Sequence, residues 1–268
     1  MLIDTHCHLD AAEFDADREQ VAAQAQAAGV RGIVIPAIGR ANFEAVRDLA
    51  HATPGGAYAL GIHPLYVERA WNDDLTVLRS AVEQAMGDPR FVAIGEIGLD
   101  FFVKEIASGA ARDKQERYYA AQLDLALEFK LPVLLHVRRS QDIILKYLRQ
   151  HKGITGIAHA FNGSEQQAHG FTELGFALGI GGAMTFERAL QIRRHAKDME
   201  LEHLVLETDS PDIPPAWLHE PDRRNTPGQV AGVARALAEL RGVSETVVAS
   251  GTAATALRVL PRLAHVLG

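Results

Sequence analysis

Pro132-Val133-Leu134-Leu135-His136-Val137 is a short apolar run with one histidine near its end. Helical patterns flank it, over residues 109–130 before and 140–150 after. A brief buried strand set between two helical stretches is the repeating unit of an α/β protein with parallel strands. The same unit recurs in both directions. Toward the N-terminus, strands are expected at 91–97, 58–63, 31–37 and 2–8, with helices at 74–86, 41–51 and 14–28. Toward the C-terminus, strands are expected at 154–160, 176–181 and 204–209, with helices at 165–174 and 186–198. A Pro-rich loop over 211–227 precedes two last helices, at 230–240 and 244–260. Eight βα repeats point to a closed (β/α)8 TIM barrel. An open doubly wound sheet is the structural alternative, because strand order is not written in one sequence. No linker or low-complexity tract divides the chain, so residues 1–268 are read as a single domain.

In such a barrel, catalytic residues come from the C-terminal ends of several strands. The unusual polar residues of this chain fall there: His6, His8, His63, Glu96, His136, His159 and Asp209. In His6-Cys7-His8, strand alternation sends the two imidazoles to one face and the thiol to the other. Two imidazoles side by side chelate Zn²⁺, Mn²⁺ or a similar ion. Glu96 lies in Ala93-Ile94-Gly95-Glu96-Ile97-Gly98. A carboxylate in so apolar a stretch is expensive unless paired or metal-bound, and its two oxygens suit a bridge between ions. A buried pair with Arg138 is the plainer reading of Glu96 alone. His136 and His159 each close an aliphatic run, and Asp209 ends the last strand, where it can ligate a metal and accept a proton from attacking water. Glu207, deeper on the same face, is read as a support. Arg138, Arg139, Arg223 and Arg224 are candidate substrate contacts, Arg138 foremost because it shares the face of His136. The other histidines lie in helices, at strand starts or in the long loop and are read as structural or solvated.

The net charge of −7 argues against a protein that coats duplex nucleic acid. A single cysteine, Cys7, rules out an internal disulfide and suits a reducing cytoplasm. No signal peptide, no bilayer-spanning apolar run and no obligate protein partner are read from the sequence.

The blocks Asp4-Thr5-His6-Cys7-His8-Leu9-Asp10, Gly61-Ile62-His63-Pro64, Gly95-Glu96-Ile97-Gly98-Leu99-Asp100, His136-Val137-Arg138, His159-Ala160-Phe161-Asn162-Gly163 and Glu207-Thr208-Asp209-Ser210-Pro211 resemble, in order, the TatD family of metal-dependent deoxyribonucleases, within the amidohydrolase superfamily. The resemblance implies two divalent ions (Zn, Mg or Mn). His6, His8, Glu96 and Asp209 match one metal site, and Glu96, His136 and His159 the other. It implies that His63 and Arg138 line the substrate pocket, and it aligns Arg224-Asn225 with the family's segment after the last strand, so Asn225 is a further substrate candidate. The implied reaction is hydrolysis of a phosphodiester, as end-trimming of DNA, or of a small phosphate ester, with Asp209 taking the proton. Two other readings stand beside it: hydrolysis of a small ester, lactone or amide, and metal binding without turnover. The chain departs from the family pattern at Ala160 and Asn162, at Asp212 where an aromatic is usual, and at Thr226 where Glu is common. Asp212 adds negative charge near the mouth and so bears on substrate preference.

Overall fold

The computed structural model describes residues 1–221 and 223–268; Asp222, within the expected loop 211–227, lies outside the described residues. The strands are β1 (Leu2–Asp4), β2 (Val30–Pro36), β3 (Gly56–Leu60), β4 (Phe91–Asp100), β5 (Val133–Arg138), β6 (Gly156–Ala158), β7 (Phe176–Ile180) and β8 (Leu204–Leu206). The helices are α1 (Arg18–Ala27), α2 (Phe43–Ala52), α3 (Pro64–Val67), α4 (Asp74–Ala85), α5 (Gly109–Phe129), α6 (Gln141–Gln150), α7 (Glu165–Glu173), α8 (Leu190–Asp198), α9 (Val230–Arg241), α10 (Glu245–Val259) and α11 (Ala264–Leu267).

All strands pair parallel, in the order β1 to β8 without interruption. The chain beyond β1 and β8 closes the ring. Thr5 N–H donates to Leu206 O at 3.0 Å, Asp209 N–H to His6 O at 2.8 Å, and His8 N–H to Ser210 O at 2.8 Å. An open sheet would switch strand order and leave two edges, so the structure is a (β/α)8 barrel.

Strand alternation sorts the core into two compartments. Ile3, Val34, Ala59, Leu134, Ile157, Ala177 and Val205 pack inside the ring, while Ile33, Tyr58, Leu135, Phe176 and Leu206 face the helices. The interior cluster also takes in Ala256 and Val259 of α10 and Leu263 after it. Arg262 donates to the carbonyls of Met86, Asp88 and Phe91, where β4 begins. The C-terminal segment is therefore a floor under the N-terminal ends of the strands, and the opposite end is left as the mouth. No helix among the described residues is long and apolar enough to cross a membrane.

Four strands end two or more residues before expected. β1 stops at Asp4, β3 at Leu60, β6 at Ala158 and β8 at Leu206, so His6, His8, His63, His159 and Asp209 stand just past the ladder. The parity of His6-Cys7-His8 survives. His6 and His8 approach each other at Nε2, 3.4 Å apart, while Cys7 turns outward, its Sγ 3.1 Å from Ser210 Oγ. Burial pushes the thiol well above its usual range, so it is neither a thiolate ligand nor a nucleophile. Cys7→Ala is expected to keep its bound metal and most of its activity and to lose about 1 kcal/mol of stability. Elemental analysis beside a denaturant titration checks this; metal loss with His6 and His8 intact would contradict the placement.

Candidate metal centre

Glu96 is the hub of the mouth. Its side chain is buried, and its two oxygens face different partners. Oε2 lies 3.1 Å from His6 Nε2 and 3.4 Å from His8 Nε2. Oε1 lies 3.0 Å from His136 Nδ1, 3.3 Å from His63 Nε2 and 3.5 Å from His159 Nε2. Asp209 Oδ1 completes the first group, 3.6 Å from both His6 and His8. Three sets of donor atoms converge closely enough to hold a cation: His6, His8 and Asp209; His6, Glu96 and His159; His63, Glu96 and His136.

Neighbouring hydrogen bonds decide which imidazole nitrogens are free to ligate. Asp100 Oδ2 lies 3.0 Å from His136 Nε2, which fixes the proton there and leaves Nδ1 a lone pair toward Glu96. Glu207 Oε1 lies 3.4 Å from His159 Nδ1, so Nε2 faces inward. Gly179 makes this possible, because a Cβ there would come 2.1 Å from Glu207 Oε2. His63 is different. Its Nδ1 accepts from Leu65 N–H at the start of α3, so its Nε2 carries the proton and points a donor into the mouth. That nitrogen lies 3.0 Å from His136 Nδ1, so His63 presents a donor and not a lone pair to the second group, which favours a substrate contact over a ligand.

Charge in the pocket is unevenly distributed. Burial pushes Asp209 up to about 6, partly offset by His159 and His8. Burial opposes ionisation of Glu96 as well, but the surrounding imidazoles of His63, His6 and His136 hold it well below the usual carboxylate range. Burial pushes His8 and His159 down, yet nearby carboxylates outweigh it and lift them to about 9 and about 10. Both are thus protonated near neutrality when no cation is bound, and a cation must displace those protons to reach the nitrogens. Metal affinity is expected to rise with pH through neutrality, about tenfold per unit for each proton released. Calorimetry in buffers of different ionisation enthalpy measures the release; a pH-independent affinity would contradict it.

The donor set fits divalent cations. Imidazole nitrogens and carboxylate oxygens of His6, His8, Glu96, His136, His159 and Asp209 converge on one spot, the mixed N/O set such ions take. The centre opens into a cavity of about 1360 Å³, lined among others by Arg138, Phe102, Gln191 and Asp212. Non-glycine residues with positive φ at this end include Arg139, Ala160 and Asp209 (55°, 44° and 55°). Each follows a strand end, where the backbone turns sharply to aim a neighbouring side chain at the mouth.

Arg138 reaches the cavity wall half exposed, as expected from its face. Asn225 does not reach the cavity. It is buried, and its amide donates to the carbonyls of Thr208, Asp212 and Ile213, which makes it a clip for the loop after β8. Thr226 sits beside it, bonded to Asn225 Oδ1. Arg224 pairs with Asp17 instead, and Arg223 lies near Glu220. Sequence reasoning passed over Asp100, although its parity with Glu96 on one strand was a usable signal. Phe102 at the rim carried none.

A parallel eight-stranded barrel that gathers histidines and carboxylates at its C-terminal mouth defines a metal-dependent hydrolase. The comparisons with known proteins agree. The sequence matches the family described as TatD related DNase over residues 3–261, and the chain belongs to that family. It is 39% identical over 241 residues to the uncharacterized metal-dependent hydrolase YjjV of Escherichia coli K12, covering 89% of this chain and 90% of that one. It is 34% identical over 233 residues to the 3'-5' ssDNA/RNA exonuclease TatD of Pantoea sp. At-9b, covering 84% and 86%. The crystal structure of the Escherichia coli YjjV protein superposes with a TM-score of 0.89 at 35% identity, covering 97% of this chain and 98% of that one.

Proposed function

We propose that the protein hydrolyses phosphodiester bonds at the ends of single-stranded DNA, using two divalent ions. The observation that carries this reading is the split of Glu96, one oxygen toward His6 and His8 and the other toward His136 and His159. His6, His8, Asp209 and Glu96 would hold one ion, and Glu96, His136 and His159 the other. The imidazole-rich set favours Zn²⁺ or Mn²⁺ over Mg²⁺. Ions so placed lower the pKa of water and offset charge on phosphorus oxygens. Asp209, whose carboxylate stands beside His6 and His8 at the mouth, takes the proton from the attacking water. His63 Nε2–H and the Arg138 guanidinium donate to a phosphate oxygen and orient it. Asp100 and Glu207 hold His136 and His159 in the ligating tautomer. The chain functions as one barrel domain in the cytoplasm, where Cys7 stays a thiol.

The test is metal-reconstituted protein on end-labelled single strands and closed circular duplex, across a salt series. About two ions per chain, trimming from an end and a shallow salt dependence are expected, since few phosphates are held. Rapid cleavage of the closed circle contradicts end-trimming. The net charge of −7 and the exposed Asp212 at the cavity favour, as the second reading, a small ester, lactone or amide; turnover of such a compound with no action on any phosphodiester would establish it.

A further inference from the structure

Phe102 stands at the mouth just beyond β4, 44% exposed. A single exposed aromatic is ordinary, but the neighbours of this one are not. The guanidinium carbon of Arg138 lies 3.8 Å from its ring centroid and that of Arg139 4.7 Å. Alternation along β5 would send these consecutive arginines to opposite faces. The positive φ of Arg139, 55°, turns the chain so that both reach one ring. Both are exposed and line the same cavity. Among the described residues, the shortest carboxylate contact of either is the 3.9 Å between Arg138 and Asp100. The two cations are therefore placed on an aromatic platform with their donors largely uncommitted.

The opposite wall has the other sign. Asp10 and Glu13, after β1, and Asp212, after β8, line it, and in a ring ordered β1 to β8 they face the β4–β5 side. A polyanionic strand leaving the centre is repelled there and attracted over Phe102.

We propose that Phe102, Arg138 and Arg139 form a nucleotide subsite. A nucleobase stacks on the ring and guanidinium platform, while Arg138 faces the scissile phosphate and Arg139 holds the phosphate next to it. A base stacked between neighbours inside a duplex has both faces covered and cannot meet the platform, so the subsite favours unstacked, single-stranded ends. This inference rests on the phosphodiesterase reading and deepens it.

The experiment compares wild type with Phe102→Ala, Phe102→Leu and Phe102→Tyr on two single-stranded oligonucleotides, one intact and one abasic at the nucleotide beside the scissile bond. Cleavage kinetics are paired with fluorescence-anisotropy binding of the same oligonucleotides to chelator-treated protein, a readout independent of turnover. Losing one stacked base weakens binding about five- to 150-fold. Phe102→Ala and Phe102→Leu are expected to raise KM and Kd for the intact strand within that range, with the loss in KM rather than kcat, and Phe102→Tyr to restore both. On the abasic strand all four proteins should bind alike, at the level of Phe102→Ala on the intact strand. An equal loss on both strands, or full function with leucine, overturns the subsite and leaves phosphodiester hydrolysis standing. Wild type that neither binds nor cleaves either strand overturns both.

Discussion

Glu96→Gln is expected to lower turnover by about 10³-fold or more and to empty at least one metal position, with the fold intact. Hydrolysis that depends on ion-activated water cannot proceed once the ions are lost. Glutamine keeps the shape of the side chain but replaces one anionic oxygen by an NH2 donor. Whichever way the amide turns, it faces His6 and His8, or His136 and His159, with hydrogens where a lone pair is needed. The shared negative charge disappears from both positions together. The fold should survive because the interior strands rest on the floor formed by α10, far from the mouth. Elemental analysis, turnover and a thermal melt on the same preparation check all three parts. Near-normal turnover with full occupancy would remove the bridge from the mechanism.

Asp209→Asn should act differently. Its carboxylate reaches only the first group, 3.6 Å from His6 and His8, so the second position proposed for Glu96, His136 and His159 should keep its ion. What the variant loses is the proton acceptor. General-base catalysis contributes about 10²–10⁴-fold, and a loss of that size is expected at saturating metal. The burial-raised pKa of about 6 belongs to the metal-free carboxyl. A bound cation favours the ionised form and moves it down, so the acidic limb of the wild-type pH–rate profile should fall below that value and should vanish in the variant. An unchanged acidic limb would reassign the base to another residue.

The candidate ligands were legible because each breaks an apolar run. His136 after Val133-Leu134-Leu135, Glu96 inside a Gly- and Ile-rich strand and His159 after Ile157-Ala158 are out of place in a core and in place at a mouth. The closed barrel was legible from the count of repeats, but the contacts that close it were not, because Thr5–Leu206 and Asp209–His6 join residues from the two ends of the chain. Strand ends were misjudged where the last turn before the mouth loses its ladder partner. Leu206 is the last residue of β8, and Asp209 then turns at positive φ. Asn225 was a substrate candidate only through the family resemblance of Arg224-Asn225, and an amide can serve a ligand or a backbone carbonyl equally well. Only the position of the carbonyls of Thr208, Asp212 and Ile213 shows which it meets. Phe102 was invisible for a similar reason, since exposure and a stacked guanidinium belong to three dimensions.

The floor under the barrel also sets a condition on synthesis. Residues of β1 to β8 emerge from the ribosome well before Ala256, Val259 and Leu263, the side chains that cover the inner faces of those strands. A nascent chain with every strand made still presents Val34, Ala59 and Val92 to water through the open base. Vectorial folding can build the outer helix layer early, but the inner compartment dries only when α10 and the turn after it arrive. Until then the uncovered inner strands favour aggregation, and a ribosome stalled before α10 would leave an aggregation-prone barrel whose mouth is already fully encoded.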